Sequence, residues 1–196
     1  LRLNRGCPYR CSYCASRLLE PKFIPGDIDA LLEKMFEMNR KFGTKVFAFY
    51  DDALLVAKEK VFLPFLEKVL SAGADFSFYL PNAVHLHYLD FETAEVMKRG
   101  GVEEVRLGYE SSEEEFGSPV SKYEKDEVGP VIEALRRAGF TSERILLYIL
   151  AGMPGQRAEE VEHSLTEAAR LGVRMQIAEY SPVPRTSLWE LSAKRS

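Results

Sequence analysis

Apolar positions along this chain fall into two alternating periods. Behind Asp27, the residues Ile28, Leu31, Leu32, Met35 and Phe36 recur at i, i+3, i+4, i+7 and i+8, which predicts a helix capped by Asp27 and ending near Phe42-Gly43. The short aromatic and β-branched run Lys45–Tyr50 then reads as a buried strand closed by Asp51-Asp52. The same succession repeats down the chain. Val61 to Leu70 predicts a helix that stops at Gly73, with Pro64 fitting best in its first turn or else kinking it. Asp75–Leu80 is a strand closed by Pro81-Asn82, and Asp90 caps a helix that ends at Gly100-Gly101. Val102–Tyr109 is a strand followed by Glu110-Ser111-Ser112, and a helix around Val131, Ile132 and Leu135 ends at Gly139. Arg144–Ala151 is the most hydrophobic strand and runs into Gly152-Met153-Pro154-Gly155-Gln156. A helix through Val161, Leu165, Ala168 and Ala169 ends at Gly172, Val173–Tyr180 is the last strand, and a final helix begins at Ser187-Leu188-Trp189. Ahead of all this, Leu1–Asn4 is a truncated apolar strand, and Ala15–Gly26 reads as irregular.

Strands and helices alternating about every 30 residues are the mark of βα units, hence of a parallel sheet with right-handed crossovers. Six such units are too few for a closed eight-fold barrel, which takes about 250 residues. The expected fold is α/β, a partial (β/α)6 barrel with parallel strands; periodicity leaves a flat doubly wound sheet as the competing geometry. In either architecture ligands sit at the carboxyl ends of the strands. Here those ends carry Asp51-Asp52, Asn82, Glu110-Ser111, the Gly152–Gln156 turn and Ser181-Pro182.

Composition narrows the setting. The hydrophobic share of 46% and charged share of 29% are those of an ordinary globular chain, and a net charge of −4 gives no reason to invoke nucleic acid or a membrane. No apolar run approaches the length of a membrane span. The chain begins with Leu1 and ends on Ala193-Lys194-Arg195-Ser196, so residues 1–196 read as one domain excised from a longer polypeptide.

All three cysteines lie within eight residues, Cys7-Pro8-Tyr9-Arg10-Cys11-Ser12-Tyr13-Cys14. An odd count cannot close into a disulfide framework. Three thiolates on one loop can hold a metal centre and leave a coordination position open, which suggests chemistry rather than a structural staple. Three plain thiols and a zinc site lacking its fourth ligand are the other readings open at this point. Thiols that must stay reduced, with no signal-peptide pattern before them, place the protein in the cytoplasm. His85 and His87 alternate on one face of an extended segment without a third ligand nearby, which favours a packing role; His163 sits among glutamates on a helix and reads as exposed.

The spacing Cys-x-x-x-Cys-x-x-Cys, with Tyr13 before the third cysteine, resembles the signature of the radical S-adenosylmethionine (radical SAM) superfamily. Arg5–Cys14 is similar to the cluster loop of the branch often fused to a cobalamin-binding domain, as are Phe47–Asp52 and Gly108-Tyr109-Glu110-Ser111. Gly152–Gln156 resembles that branch's Gly-Leu-Pro-Gly-Glu turn, and Tyr180–Thr186 its Pro-x-Pro-Gly-Thr segment. The resemblance thus runs over nearly the whole chain.

It implies a radical SAM type of partial barrel and an oxygen-sensitive enzyme. Cys7, Cys11 and Cys14 would hold three irons of a 4Fe–4S cluster, and the fourth iron would be chelated by S-adenosylmethionine. Reductive cleavage would give a 5′-deoxyadenosyl radical that abstracts hydrogen from a substrate, here unknown. Asp51 and Asp52 would accept from the cofactor's amino group, Glu110 would meet the ribose, and Asn82 would point into the same mouth. Tyr13 and the backbone at Met153 would meet the adenine. Lys122, with Lys125 as runner-up, would meet the carboxylate. The implied partners are a one-electron reductant such as flavodoxin or ferredoxin, a small-molecule substrate, and flanking domains of the parent chain, with cobalamin held by a domain absent here. Two positions depart from the pattern: Gln156 stands where an acid is usual, and Arg185 where Gly is usual, which puts the turn after the last strand in question. Two further classes stay open: an iron–sulfur or S-adenosylmethionine binding module without catalysis, and a phosphate-binding barrel with incidental cysteines. The Gly152–Gln156 turn, with few glycines and no lysine, counts against the latter.

Overall fold

The structure, a computed structural model, describes residues 1–109 and 128–193. Two short strands come first: β1 (Asn4–Arg5) pairs antiparallel with β2 (Ile24–Pro25), and α1 (Ser16–Leu19) lies between them. Helix α2 (Ile28–Phe42) follows, with the Asp27 carboxylate accepting from the Ala30 N–H at 3.0 Å and Gly43 ending it in a left-handed conformation. Then come β3 (Val46–Ala48), α3 (Leu63–Ser71), β4 (Ser77–Tyr79), α4 (Phe91–Arg99), β5 (Val102–Gly108), α5 (Val128–Arg137), β6 (Ile145–Ala151), α6 (Ala158–Arg170), β7 (Arg174–Glu179) and α7 (Ser187–Ala193). A π-helical turn, Lys58–Phe62, leads directly into α3 and places Pro64 in its first turn, the better of the two positions the sequence leaves open.

The strands form a parallel sheet in the order β3-β4-β5-β6-β7. This order never reverses, and successive helices pack on one another, α2 on α3, α3 on α4 and α4 on α5. A doubly wound sheet would reverse its strand order at a switch point. The arrangement is therefore the singly wound wall of a partial barrel.

The core lies between this wall and its helices. Phe49, Phe62, Phe65 and Phe78 are buried and meet edge-on or offset, with ring centroids 5.4–5.9 Å apart. Along β5 and β6 the side chains alternate: Val105, Leu107, Ile145, Leu147 and Ile149 are wholly buried in this core. The opposite face is polar. There Glu104 binds Arg106 at 2.8 Å and Arg174 at 2.9 Å, and Arg106 reaches the Tyr148 hydroxyl at 2.9 Å. Burial alone would raise the Glu104 carboxyl, but the two guanidinium groups outweigh it and hold it below its ordinary value. No helix among the described residues is long and apolar enough to cross a membrane.

The expected first strand differs in detail. Leu1 lies beside β3, its amino group donating to the Ala48 carbonyl and its carbonyl accepting from Tyr50 N–H at 2.9 Å. After Leu3 the chain leaves the sheet to form β1. The segment expected to be irregular contributes α1 and β2; with four and two residues, neither is long enough to show a period.

Candidate functional site

The cysteine loop has a closed neck. Strands β1 and β2 join its two ends, and Gly26 N–H donates to the Leu3 carbonyl at 2.7 Å. Gly6, at φ 76°, makes this closure possible, because a Cβ there would stand 2.4 Å from the Lys22 carbonyl oxygen. Within the loop, Cys14 N–H donates to the Cys11 carbonyl at 3.1 Å, and Cys14 Sγ lies 3.2 Å from Ser16 Oγ. Cys7 is buried and Cys11 and Cys14 are half-buried; none of the three is in a disulfide.

At the start of the loop, Asp51 does the anchoring. It sits just past β3 with 3% of its surface exposed, and its two carboxylate oxygens accept from the backbone N–H groups of Leu3 (3.1 Å) and Asn4 (2.5 Å). Burial pushes its carboxyl above the ordinary value, against those hydrogen bonds. Asn4 in turn donates from Nδ2 to the Leu54 carbonyl at 3.3 Å, and Asn82 donates from Nδ2 to the Asp51 carbonyl at 3.0 Å. Asp52 faces Arg2 at 3.5 Å. Asp51 and Asp52, expected at the cofactor's amino group, and Asn82, expected at the same mouth, are thus gathered at one place. There the Asp51 side chain is committed to the backbone that enters the loop.

Further contacts come from the loop after β4. The Tyr9 ring stacks on His85 with centroids 4.6 Å apart, and its hydroxyl meets that of Tyr88 at 2.8 Å. His85 is buried, which is the packing role its sequence context favours. Lys58 holds this loop from beneath, donating to the Tyr88 carbonyl, Asp90 Oδ2 and Thr93 Oγ1, each at 2.7 Å. Burial alone would raise the Asp90 carboxyl, but the bonds from Lys58 and Thr93 bring it down to about 2. Sequence reasoning missed Tyr9 and Lys58; a lysine amid an apolar run was the one available hint.

The far end of the loop is held differently. Tyr13 and Leu150 pack against buried Met153, Tyr180 and Leu188, and Leu188 N–H donates to the Ser12 carbonyl at 3.0 Å. Tyr13 and Met153, both expected at the adenine, are therefore neighbours. The backbone of Met153 is already engaged: its N–H donates to Gln156 Oε1 at 3.2 Å and its carbonyl accepts from Gln156 N–H at 3.0 Å. Gln156 also donates from Nε2 to the Leu150 carbonyl at 3.1 Å. An ionised acid could not make that last bond, which explains the amide at this position. Arg185 adopts φ 70°, so the turn after β7 keeps a left-handed residue despite lacking Gly. Glu110 and Lys122, with Lys125, lie outside the described residues.

These residues fit an iron–sulfur and nucleoside cofactor. The three thiols belong to one loop clamped at both ends to the carboxyl edge of the sheet. Beside Tyr13 and Met153, the Tyr180 hydroxyl is buried with no hydrogen-bond partner among the described residues. Gly152, at the same strand end, has open space where a side chain would be. Among the described residues no group of three or more His, Cys, Asp or Glu converges on a single-ion position. A 4Fe–4S cluster asks something else, one thiolate per iron across a wider body.

Comparison with known proteins agrees. Over 193 residues the chain is 26% identical to the uncharacterized methyltransferase PH0819 of Pyrococcus horikoshii, covering 95% of this chain and 40% of that protein. It is 25% identical to the heme chaperone HemW of Bacillus subtilis, covering 96% and 52%. Among solved structures, the radical S-adenosylmethionine methyltransferase TsrM of Kitasatospora setae, with cobalamin and a 4Fe–4S cluster bound, matches all of this chain and 36% of its own, with a TM-score of 0.85 at 15% identity. Coproporphyrinogen III oxidase (HemN) of Escherichia coli, a radical SAM enzyme, matches 95% and 45% at a TM-score of 0.66. The chain thus spans about half or less of the length of these proteins. The family model for the radical SAM superfamily covers residues 1–168, and the chain belongs to that superfamily, enzymes that work with a 4Fe–4S cluster and S-adenosylmethionine.

Proposed function

We propose that this chain is the catalytic core of its parent enzyme, with Cys7, Cys11 and Cys14 each holding one iron of the cluster and the fourth iron taking S-adenosylmethionine. When bound, this pair supplies one-electron reductive cleavage of the sulfonium to a 5′-deoxyadenosyl radical, which abstracts hydrogen from the substrate. The observation that carries the reading is the double mooring of the loop that holds every thiol of the chain. Asp51 fixes the entry to the loop. Asp52 and Asn82 line the rim beside it. Tyr13, Met153 and Tyr180 offer an apolar wall with one spare hydroxyl to the nucleoside. Glu110 and Lys122 are assigned to the ribose and the carboxylate. We place the protein in the cytoplasm and treat residues 1–196 as a single core unit.

Anaerobic reconstitution with iron and sulfide, followed by a low-potential reductant and S-adenosylmethionine, tests this. 5′-Deoxyadenosine is the expected product, and Cys11→Ala abolishes the visible absorption of the cluster. A well-formed cluster that yields no 5′-deoxyadenosine leaves only a binding module. For the whole protein we infer methyl transfer. Support comes from the likeness to PH0819 and TsrM, the latter described as a methyltransferase with cobalamin. Cobalamin would be held by a part of the protein outside these residues. Transfer of an isotopic methyl label from S-adenosylmethionine through cob(I)alamin, measured on the full polypeptide, checks it; label that never enters the corrinoid rules it out.

A further inference from the structure

The face of the sheet turned away from the helices holds, at mid-height, a cation whose bonds are not all spent. Arg106 donates from Nε to Glu104 Oε1 at 2.8 Å and from Nη1 to the Tyr148 hydroxyl at 2.9 Å, and Nη1 lies 3.5 Å from the Pro81 carbonyl. A guanidinium has N–H donors on every nitrogen. Those on Nη2 have no partner among the described residues, and the side chain is 31% exposed. The Tyr148 hydroxyl accepts from Arg106, which leaves its own O–H to donate, and no described residue accepts it. Glu104 cannot turn to either donor, because its second oxygen is held by Arg174 at 2.9 Å. It fixes the aim of the guanidinium instead.

This pair of donors stands beneath the proposed cofactor site. Pro81 precedes Asn82, whose Nδ2 donates to the Asp51 carbonyl at 3.0 Å. Leu150 lies two residues beyond Tyr148 on the same face of β6, about 7 Å along the strand, and packs against Met153 and Tyr180 as Tyr13 does. On β5 the position two beyond Arg106 is Gly108, where an added Cβ would meet only Ala83, at 3.7 Å, among the described residues. No side chain of β5 therefore stands between Arg106 and the carboxyl edge of the sheet.

A carboxylate suits this place. One oxygen can take an N–H of Nη2 and the other the Tyr148 O–H, and a charged acceptor makes bonds about twice as strong as a neutral carbonyl does. We propose that Arg106 and Tyr148 bind a carboxylate of the substrate, which makes an organic acid the class of molecule presented to the cofactor. The inference rests on the cofactor reading above and adds the substrate class to it. Glu104 is a positioning residue in this arrangement.

The test uses the full polypeptide with its cluster reconstituted and reads binding, not turnover. Fluorine NMR follows para-fluorobenzoate and the neutral para-fluorobenzamide, each with and without bound S-adenosylhomocysteine. The acid is expected to bind about tenfold more tightly than the amide in both conditions. Arg106→Gln should weaken the acid about tenfold and leave the amide and S-adenosylhomocysteine as they were. Tyr148→Phe keeps the guanidinium and Glu104 in place and should weaken the acid about threefold, which tests the site even where Arg106→Gln does not fold. Equal affinity for acid and amide overturns the subsite, and so does an acid affinity that Tyr148→Phe leaves unmoved. Displacement of the acid by S-adenosylhomocysteine, or a parallel loss of S-adenosylhomocysteine binding in Arg106→Gln, also overturns it, because the seat would then be the cofactor's own. A wild type that binds no S-adenosylhomocysteine at all fails the cofactor reading, and this proposal with it.

Discussion

The two moorings of the cysteine loop differ in kind. At its entry, Asp51, Asn4 and Asn82 form a buried knot of directed hydrogen bonds, and Tyr9 is pinned to Tyr88 above Lys58. At its exit, Tyr13 rests in a small apolar cluster tied by one backbone bond from α7. Hydrogen bonds with buried partners tolerate little displacement, because a missing partner costs more than the bond contributes. Apolar contacts slide. The entry therefore fixes where Cys7 sits, while the exit leaves the apolar wall of Tyr13, Met153 and Tyr180, proposed above for the nucleoside, free to adjust.

Substitutions at each mooring should separate these roles. The largest effect is expected from Asp51→Ala, which strands two buried N–H groups and should cost about 3 kcal/mol of stability, with cluster yield falling in parallel. Asp51→Asn, which keeps an acceptor, should lose about half as much. Urea unfolding of the two variants decides it, and a loss no larger in the alanine variant would make the knot dispensable. Next comes Lys58. Asp90 has its carboxyl depressed to about 2, so the stability its ionised form contributes is present above the ordinary carboxylate value near 4 and is lost as pH falls through about 2. In Lys58→Met, Asp90 should titrate back toward 4 by carbon-detected NMR, and acid unfolding should begin at higher pH. An unmoved Asp90 would detach Lys58 from the mooring.

At the exit the expected changes are smaller and of opposite sign. Tyr180→Phe removes a buried hydroxyl that lacks a partner among the described residues and should raise stability without cofactor by about 1 kcal/mol, while weakening S-adenosylmethionine binding severalfold. A rise in Tm with unchanged affinity would reduce the hydroxyl to a packing defect. Arg185→Gly relieves a left-handed residue at φ 70° and, after the entropy glycine adds to the unfolded chain, should gain about 0.5 kcal/mol. A loss of stability instead would mean that the Arg185 side chain holds the turn.

The fold was legible where period and punctuation agree. Asp27 and Gly43 bracket α2, Asp90 caps α4, and the apolar run at Ile145–Ala151 is β6. What escaped was short or directional. A two-residue strand containing Pro25 leaves no pattern, and the π-turn at Lys58 looks like the start of an ordinary helix. That the three thiols share one loop could be read from their spacing; what they hold is the proposal above. The aim of Asp51 could not be so read, because a carboxylate at a strand end reads equally as a ligand contact or an anchor. Only the fold brings Leu3 and Asn4 beneath it, forty-eight and forty-seven residues back along the chain.

The neck at Gly6 and Lys22 has a bearing on assembly. A loop sealed at its base is a self-contained appendage, joined to the wall through β1, β2 and two clamps. If the loop takes the cluster as proposed, the barrel wall can be complete before any iron arrives, and insertion is a local event after folding. Amide exchange in β5 and β6 should accordingly be the same before and after reconstitution, with new protection confined to the hoop between the two glycines, Gly6 and Gly26.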